Sequence, residues 1–131
     1  MKNWVTSTSK LYIVTRQDLA PGYQATQAIH AQRLFTEEHP AIDKEWYEKS
    51  NYLSFLSVKD ESALNSLIFK LQEKDVKVSI FREPDIKNQI TAIAIEPCED
   101  ARRMVGSLPS ALKEFNPQNG ELINKHTFIT T

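Results

Sequence analysis

Glycine is scarce in this chain, at three of 131 residues, which leaves too few to build a glycine-rich phosphate-cradling loop. Cysteine is scarcer: Cys98 stands alone, which excludes an intrachain disulfide and fits a reducing compartment. No apolar run approaches the ~18 residues of a membrane span. The opening Met-Lys-Asn-Trp-Val-Thr-Ser-Thr-Ser carries charge without the apolar centre of a signal peptide. The expectation is a soluble cytoplasmic protein with no membrane partner. Neither sign of charge dominates either, with 16 basic and 17 acidic side chains and a formal charge of −1. Proteins that grip many phosphates usually show a basic excess, so the balance argues against extensive nucleic-acid contact and leaves room only for a local basic patch. His30 and His39, with Glu37 and Glu38 between them, meet no metal-ligand spacing.

What is present reads as one domain, since 131 residues with 40% hydrophobic content fill one core and not two. Leu11 to Thr15 is an unbroken apolar and β-branched run, suited to a central strand buried on both faces. Asp18-Leu-Ala-Pro-Gly22 is turn chemistry, and a helix follows to about Glu38, where His39-Pro40 ends it. Ala25, Ala28, Ile29, Ala31 and Phe35 form its apolar face, with Ala25, Ala28 and Ile29 expected to be buried against a sheet. Ala41 to Lys49 adds a short helix carrying Trp46 and Tyr47. Tyr52 to Val58 is a second strand. Asp60 is placed to cap a helix whose Leu64, Leu67, Ile68 and Leu71 make an i, i+3, i+4, i+7 stripe. Val76 to Phe81 and Ile90 to Ile95 are the third and fourth strands. Helical crossovers imply parallel relations among the first three, and the short link before the fourth implies an antiparallel pairing. The predicted fold is a three-layer α/β/α domain with a mixed, mainly parallel four-stranded sheet and its core over about 10–97. Residues 98–131 should hold short helices, one starting at Ser107 and running through Phe115, and a loosely organised tail with a peripheral or frayed strand over 126–131.

At 100° per residue, Tyr23, Gln27, His30 and Leu34 line one edge of the first long helix, with Thr26 beside them. A hydroxyl, an amide and an imidazole on one strip could orient an ester or a water, and an imidazole titrates near neutral pH. The plainer alternative is a boundary histidine bonded to a neighbouring strand. The acidic turn Glu83-Pro84-Asp85 lies between the third and fourth strands; a carboxylate there could orient His30, or simply be solvated.

These two segments carry a family resemblance. In the type II peptidyl-tRNA hydrolases a first strand ending in Arg-x-Asp-Leu leads to Gly-Lys-x-Ala-x-Gln-x-x-His-Ala. Here Arg16, Asp18 and Leu19 precede Gly22, Ala25, Gln27, His30 and Ala31 in the same register, with Tyr23 at the lysine position. The family's last strand reads Thr-x-x-Ala-Ile-Gly-Pro, matched here by Thr91, Ala94, Ile95 and Pro97, with Glu96 at the glycine. Glu83-Pro84-Asp85 stands where the family has an Asp-Ala-Gly turn, so Asp85 or Glu83 takes the part of the family aspartate.

The resemblance implies hydrolysis of the ester joining a peptide or blocked aminoacyl group to the 3′ ribose of tRNA. In that reading His30 with Asp85 or Glu83 activates water, and Gln27, Thr26, Tyr23 and Thr91 hold the substrate. It implies peptidyl-tRNA as partner, a homodimer, and no metal or organic cofactor. Tyr23 supplies no fixed positive charge, so the competing reading is a binding or regulatory module that keeps the fold without the chemistry. Lys10 and Lys87 are the candidates to replace the missing lysine.

Overall fold

A computed structural model describes residues 5–113, 118–119 and 121. Its strands are β1 (Lys10–Arg16), β2 (Tyr52–Val58), β3 (Val78–Glu83) and β4 (Gln89–Ile95), and its helices α1 (Pro21–Glu38), α2 (Pro40–Lys49), α3 (Glu61–Glu73) and α4 (Glu99–Val105). A 3₁₀ turn over Pro84–Ile86 joins β3 to β4. The sheet order is β2-β1-β4-β3. β1 pairs in parallel with β2, Ile13 opposite Phe55, and antiparallel with β4, Ile13 opposite Ala94. β3 and β4 are antiparallel.

The sheet is mixed as expected, but mainly antiparallel by pairing. β3 runs in the same direction as β1 and β2, as the helical crossovers imply; β4 inserts between β1 and β3 and converts their relation into two antiparallel ladders. The reason lies in the short β3–β4 link, which must pair its own neighbours and leaves β4 as the only strand able to fill the slot beside β1.

Burial follows the two faces. On one side Leu11, Ile13, Ala92 and Ala94 pack under α1 and α2 with Ala28, Ala31, Phe35 and Trp46. On the other Tyr12, Val14, Ile93 and Ile95 pack under α3 and α4 with Leu64, Ile68 and Leu71. Asp60 caps α3 as its spacing predicts, accepting from the Ala63 N–H at 3.0 Å. Trp46 is buried and its indole N–H donates to the Tyr52 carbonyl at 2.7 Å, which ties α2 to β2, while Tyr47 is exposed.

Three local expectations change. Ile29 is 68% exposed, because Gln24 and Gln27 take buried positions on α1 and rotate the helix so that Ile29 faces outward. The third strand begins two residues later than predicted, since Val76 follows the turn after α3 and only Val78 onward meets β4. No helix starts at Ser107 within the described residues. Instead Pro109–Ala111 runs against the outer edge of β2: the Ser57 N–H donates to the Pro109 carbonyl at 2.9 Å and the Ala111 N–H to the Phe55 carbonyl at 3.0 Å. Exposed edge groups of a sheet seek such partners, and here they outweigh the helical alternative. The strand expected over 126–131 lies outside the described residues.

Candidate active site

The site lies where β1 and β3 end and β4 begins, under the N-terminal half of α1. Strict alternation along Ile90 to Ile95 would put Thr91 with Ile93 and Ile95, on the α3 side. The pairing breaks that alternation: Phe81 faces Ala92 and Arg82 faces Ile90, so Thr91 is an extra residue in β4. Such a bulge re-aims a side chain, and Thr91 turns to the α1 side. Its hydroxyl donates to Gln27 Oε1 at 2.6 Å.

A bulge also strips backbone groups of their ladder partners, and side chains take them up here. Thr15 Oγ1 donates to the Thr91 carbonyl at 2.9 Å, Arg16 Nη1 to the Ile90 carbonyl at 3.0 Å, and the Ile90 N–H to Glu61 at 2.8 Å. Arg16 is held in turn by a two-point pair with Asp18, both contacts 2.9 Å, and by Gln89. The Arg-x-Asp of the strand end therefore works as a clamp on the bulge. Asp18 and burial act on Arg16 in opposite directions; the paired carboxylate prevails and holds the guanidinium pKa up.

From Thr91 the chain of hydrogen bonds continues through Gln27, whose Nε2 donates to Glu83 Oε1 at 3.0 Å. The Asp85 backbone N–H donates to the other carboxylate oxygen of Glu83 at 3.1 Å. Only one orientation of the Gln27 amide serves both neighbours, since the threonine hydroxyl needs an acceptor and the carboxylate a donor. These two donors, the Asp85 N–H and then Gln27, hold the Glu83 pKa below its ordinary value, with His30 adding to the effect. Thr91 and Gln27 are fully buried and Glu83 nearly so.

His30 is exposed on α1 and stacks on Phe81 of β3, with ring centroids 4.7 Å apart and planes at 21°. Half-buried Tyr23 lies within electrostatic reach of Glu83, Asp85 and Arg16; burial first, and then the two carboxylates, push its phenol pKa up. Glu83 is thus the carboxylate bonded to Gln27, and Asp85 serves it through the backbone with its own side chain exposed. Thr26 does not join the group: it is exposed and its hydroxyl donates back to the Gly22 carbonyl at 3.2 Å. Lys10 begins β1, at the far end of the sheet, and cannot replace a lysine here. Lys87 follows the 3₁₀ turn in a left-handed conformation and is exposed.

Two residues to which the sequence assigns no role matter. Gln24 is buried beside Tyr23 and holds the chain beyond β2, donating to the carbonyls of Leu19 and Lys113 and accepting from the Leu112 N–H at 2.8 Å. Glu96, at the family's glycine, accepts from the Lys77 N–H at 2.8 Å and closes the start of β3. Cys98 is buried and its thiol pKa is pushed up to about 11, chiefly by desolvation, which makes it a poor nucleophile. Among the described residues no three His, Cys, Asp or Glu side chains are grouped to share a metal, and no helix is long and apolar enough to cross a membrane.

A family model described as peptidyl-tRNA hydrolase PTH2 matches residues 9–113. No curated protein sequence matches the chain. The matched span runs from the start of β1 to the segment that Gln24 holds, and so takes in the whole Thr91–Gln27–Glu83 network; the chain belongs to the type II peptidyl-tRNA hydrolase family.

Proposed function

We propose that the protein hydrolyses the ester between a peptide, or a blocked aminoacyl group, and the 3′ ribose of tRNA, with Glu83 as general base. The observation that carries this reading is the directed chain from Thr91 through Gln27 to Glu83. It keeps one carboxylate ionised and fixed beside an exposed imidazole. Glu83 takes a proton from water as the water oxygen bonds to the ester carbonyl carbon. The carbonyl carbon–ribose oxygen bond then breaks, and the proton passes to the leaving ribose oxygen, directly or through His30. Peptide acid and free tRNA 3′ hydroxyl are the products. A positioned base contributes roughly a hundredfold to ten thousandfold in rate, and Glu83, always ionised but with its basicity lowered by the same donors, belongs at the lower end of that range.

Gln27 and Thr91 act through Glu83. Both are sealed from solvent, and the threonine proton and the amide oxygen are already committed to one another. They are positioning residues, while His30 and Tyr23 form the side open to substrate. Asp85 contributes its backbone N–H, and Thr26 has no part.

One observation favours the competing reading. At the family lysine position stands Tyr23, which offers the substrate a hydrogen bond and no charge, so a binding module with a silent site is the second account. Single-turnover release of peptide from peptidyl-tRNA, run beside a binding titration of the same substrate, separates the two. Release that saturates with enzyme and is lost in His30→Ala or Glu83→Gln supports the hydrolase. Binding with no release above background supports the silent module.

A further inference from the structure

At the opposite end of the sheet from Glu83, between the start of β1, β2 and α4, lies a cleft of about 890 Å³, a size that suits a small-molecule ligand. Tyr12 lies at its floor. It is 4% exposed, its ring packed with the α3-side core near Cys98. The phenol has no hydrogen-bond partner among the described residues. It is not enclosed either: the sealed, unpartnered side-chain atoms among those residues belong to Asp43 and Ser79. The hydroxyl of a nearly buried tyrosine therefore opens onto the cleft, where a ligand oxygen can accept a hydrogen bond from it in place of solvent.

The walls suit an oxygen-rich anion. Lys10, Arg102 and Arg103 line the cleft. Glu99 bonds Arg102, and Asp100 lies 3.7 Å from Arg103. These carboxylates hold the guanidiniums in place and leave one cation in excess. Both arginine side chains are more than half exposed, so each keeps N–H groups for a ligand. Ser54, Ser107 and Thr8 add hydroxyls that both donate and accept. Arg102 also lies within electrostatic reach of the Tyr12 hydroxyl, whose pKa burial pushes up, so the phenol stays protonated and can donate.

We infer that this cleft binds a ribose-phosphate unit: phosphate oxygens meet Arg102, Arg103 and the Tyr12 hydroxyl, and sugar hydroxyls meet the serine and threonine rim. Arginine favours phosphate because its planar fork matches two oxygens at once. The site is separate from the hydrolase site. Tyr12 and Arg16 are four residues apart on β1, roughly 13 Å at strand rise, and Tyr12 faces α3 whereas Gln27 and Glu83 lie on the α1 side.

The test is a backbone-amide NMR titration of the full chain with ribose 5-phosphate and, separately, with inorganic phosphate. Ribose 5-phosphate is expected to shift resonances of Tyr12, Ser54 and Arg102 while those of Gln27 and Glu83 stay in place. Tyr12→Phe removes only the hydroxyl and should weaken binding about tenfold with an unchanged Tm and unchanged ester hydrolysis. Arg103→Ala, on an exposed side chain that folding does not need, should weaken it comparably. Inorganic phosphate should bind more weakly than the sugar phosphate. The inference is overturned by no shifts at millimolar ligand, by equal affinity for inorganic phosphate, or by binding that neither substitution alters.

Discussion

Gln27 is fully buried with both ends of its amide engaged, Oε1 by Thr91 and Nε2 by Glu83. Replacing it with leucine would leave the Thr91 hydroxyl without an acceptor, at a cost of about 1–3 kcal/mol for that group. It would also remove a donor from an ionised carboxylate, and the sign of the resulting pH dependence is determined. Glu83 has a folded pKa below its ordinary value of 4.5. Its contribution to stability is therefore present above that value and lost as pH falls through the lower folded pKa. The stability difference between wild type and Gln27→Leu should be full at neutral pH and shrink in the acid range below 4.5, as followed by urea unfolding at a series of pH values. A gap that stays constant with pH would show that the amide does not support the charge. Tyr23 carries the second residue-scale expectation. An ammonium can pair with phosphate where a phenol only hydrogen-bonds, so Tyr23→Lys should raise peptidyl-tRNA turnover about ten- to a hundredfold. Unchanged or lower turnover would mean that the lost lysine does not limit the reaction. Gln27, His30 and Thr91 are legible in the sequence as motif positions. That Glu83 rather than Asp85 bonds Gln27 is not, because it depends on which of two nearby carboxylates the backbone turns toward α1.

Among the elements, the β4 bulge does most to make the site, and alternation hides it. Ile-Thr-Ala-Ile-Ala-Ile reads as a regular strand, and only the mismatch of Phe81 and Arg82 against Ala92 and Ile90 reveals the extra residue. The same limit explains Ile29: hydrophobic spacing cannot anticipate that two glutamines will find partners from distant segments and claim the buried face of α1. The main elements were legible because their signals are local. These are the apolar run of β1, Pro21 at the entry of α1, His39-Pro40 ending it and Asp60 capping α3. The clamp on the bulge gives a test. Arg16→Lys keeps the charge but cannot reproduce the two-point pair with Asp18 while also bonding Ile90 and Gln89. It should lower kcat more than it raises KM, and shift the Glu83 carboxylate resonance in an NMR pH titration. A variant that loses only Tm and keeps the Glu83 titration would reduce Arg16 to a structural role. On β1 itself, Ile13 is 1% exposed at the centre of the sheet. Ile13→Asp buries an unpaired charge and should cost a large part of a folding margin of about 5–15 kcal/mol; unchanged melting would contradict the central strand.

At the scale of the whole molecule, the network joins all the layers: β1 gives Thr15 and Arg16, α1 gives Gln27 and His30, α3 gives Glu61, and β3 and β4 give Glu83 and Thr91. The near-neutral chain, with a formal charge of −1, implies few phosphate contacts. KM for peptidyl-tRNA should accordingly rise by about tenfold or less between about 50 and about 200 mM salt, against the thousandfold or more lost by proteins with many such contacts; a steep dependence would point to a basic surface beyond the site. The central claim is that Glu83, held by Gln27 and Thr91, is the base for ester hydrolysis. It is tested most directly by comparing single-turnover cleavage of peptidyl-tRNA by wild type and Glu83→Gln under equal substrate occupancy. The account predicts that Glu83→Gln binds substrate normally and cleaves it at least about a hundredfold more slowly. Cleavage by Glu83→Gln at the wild-type rate would contradict it.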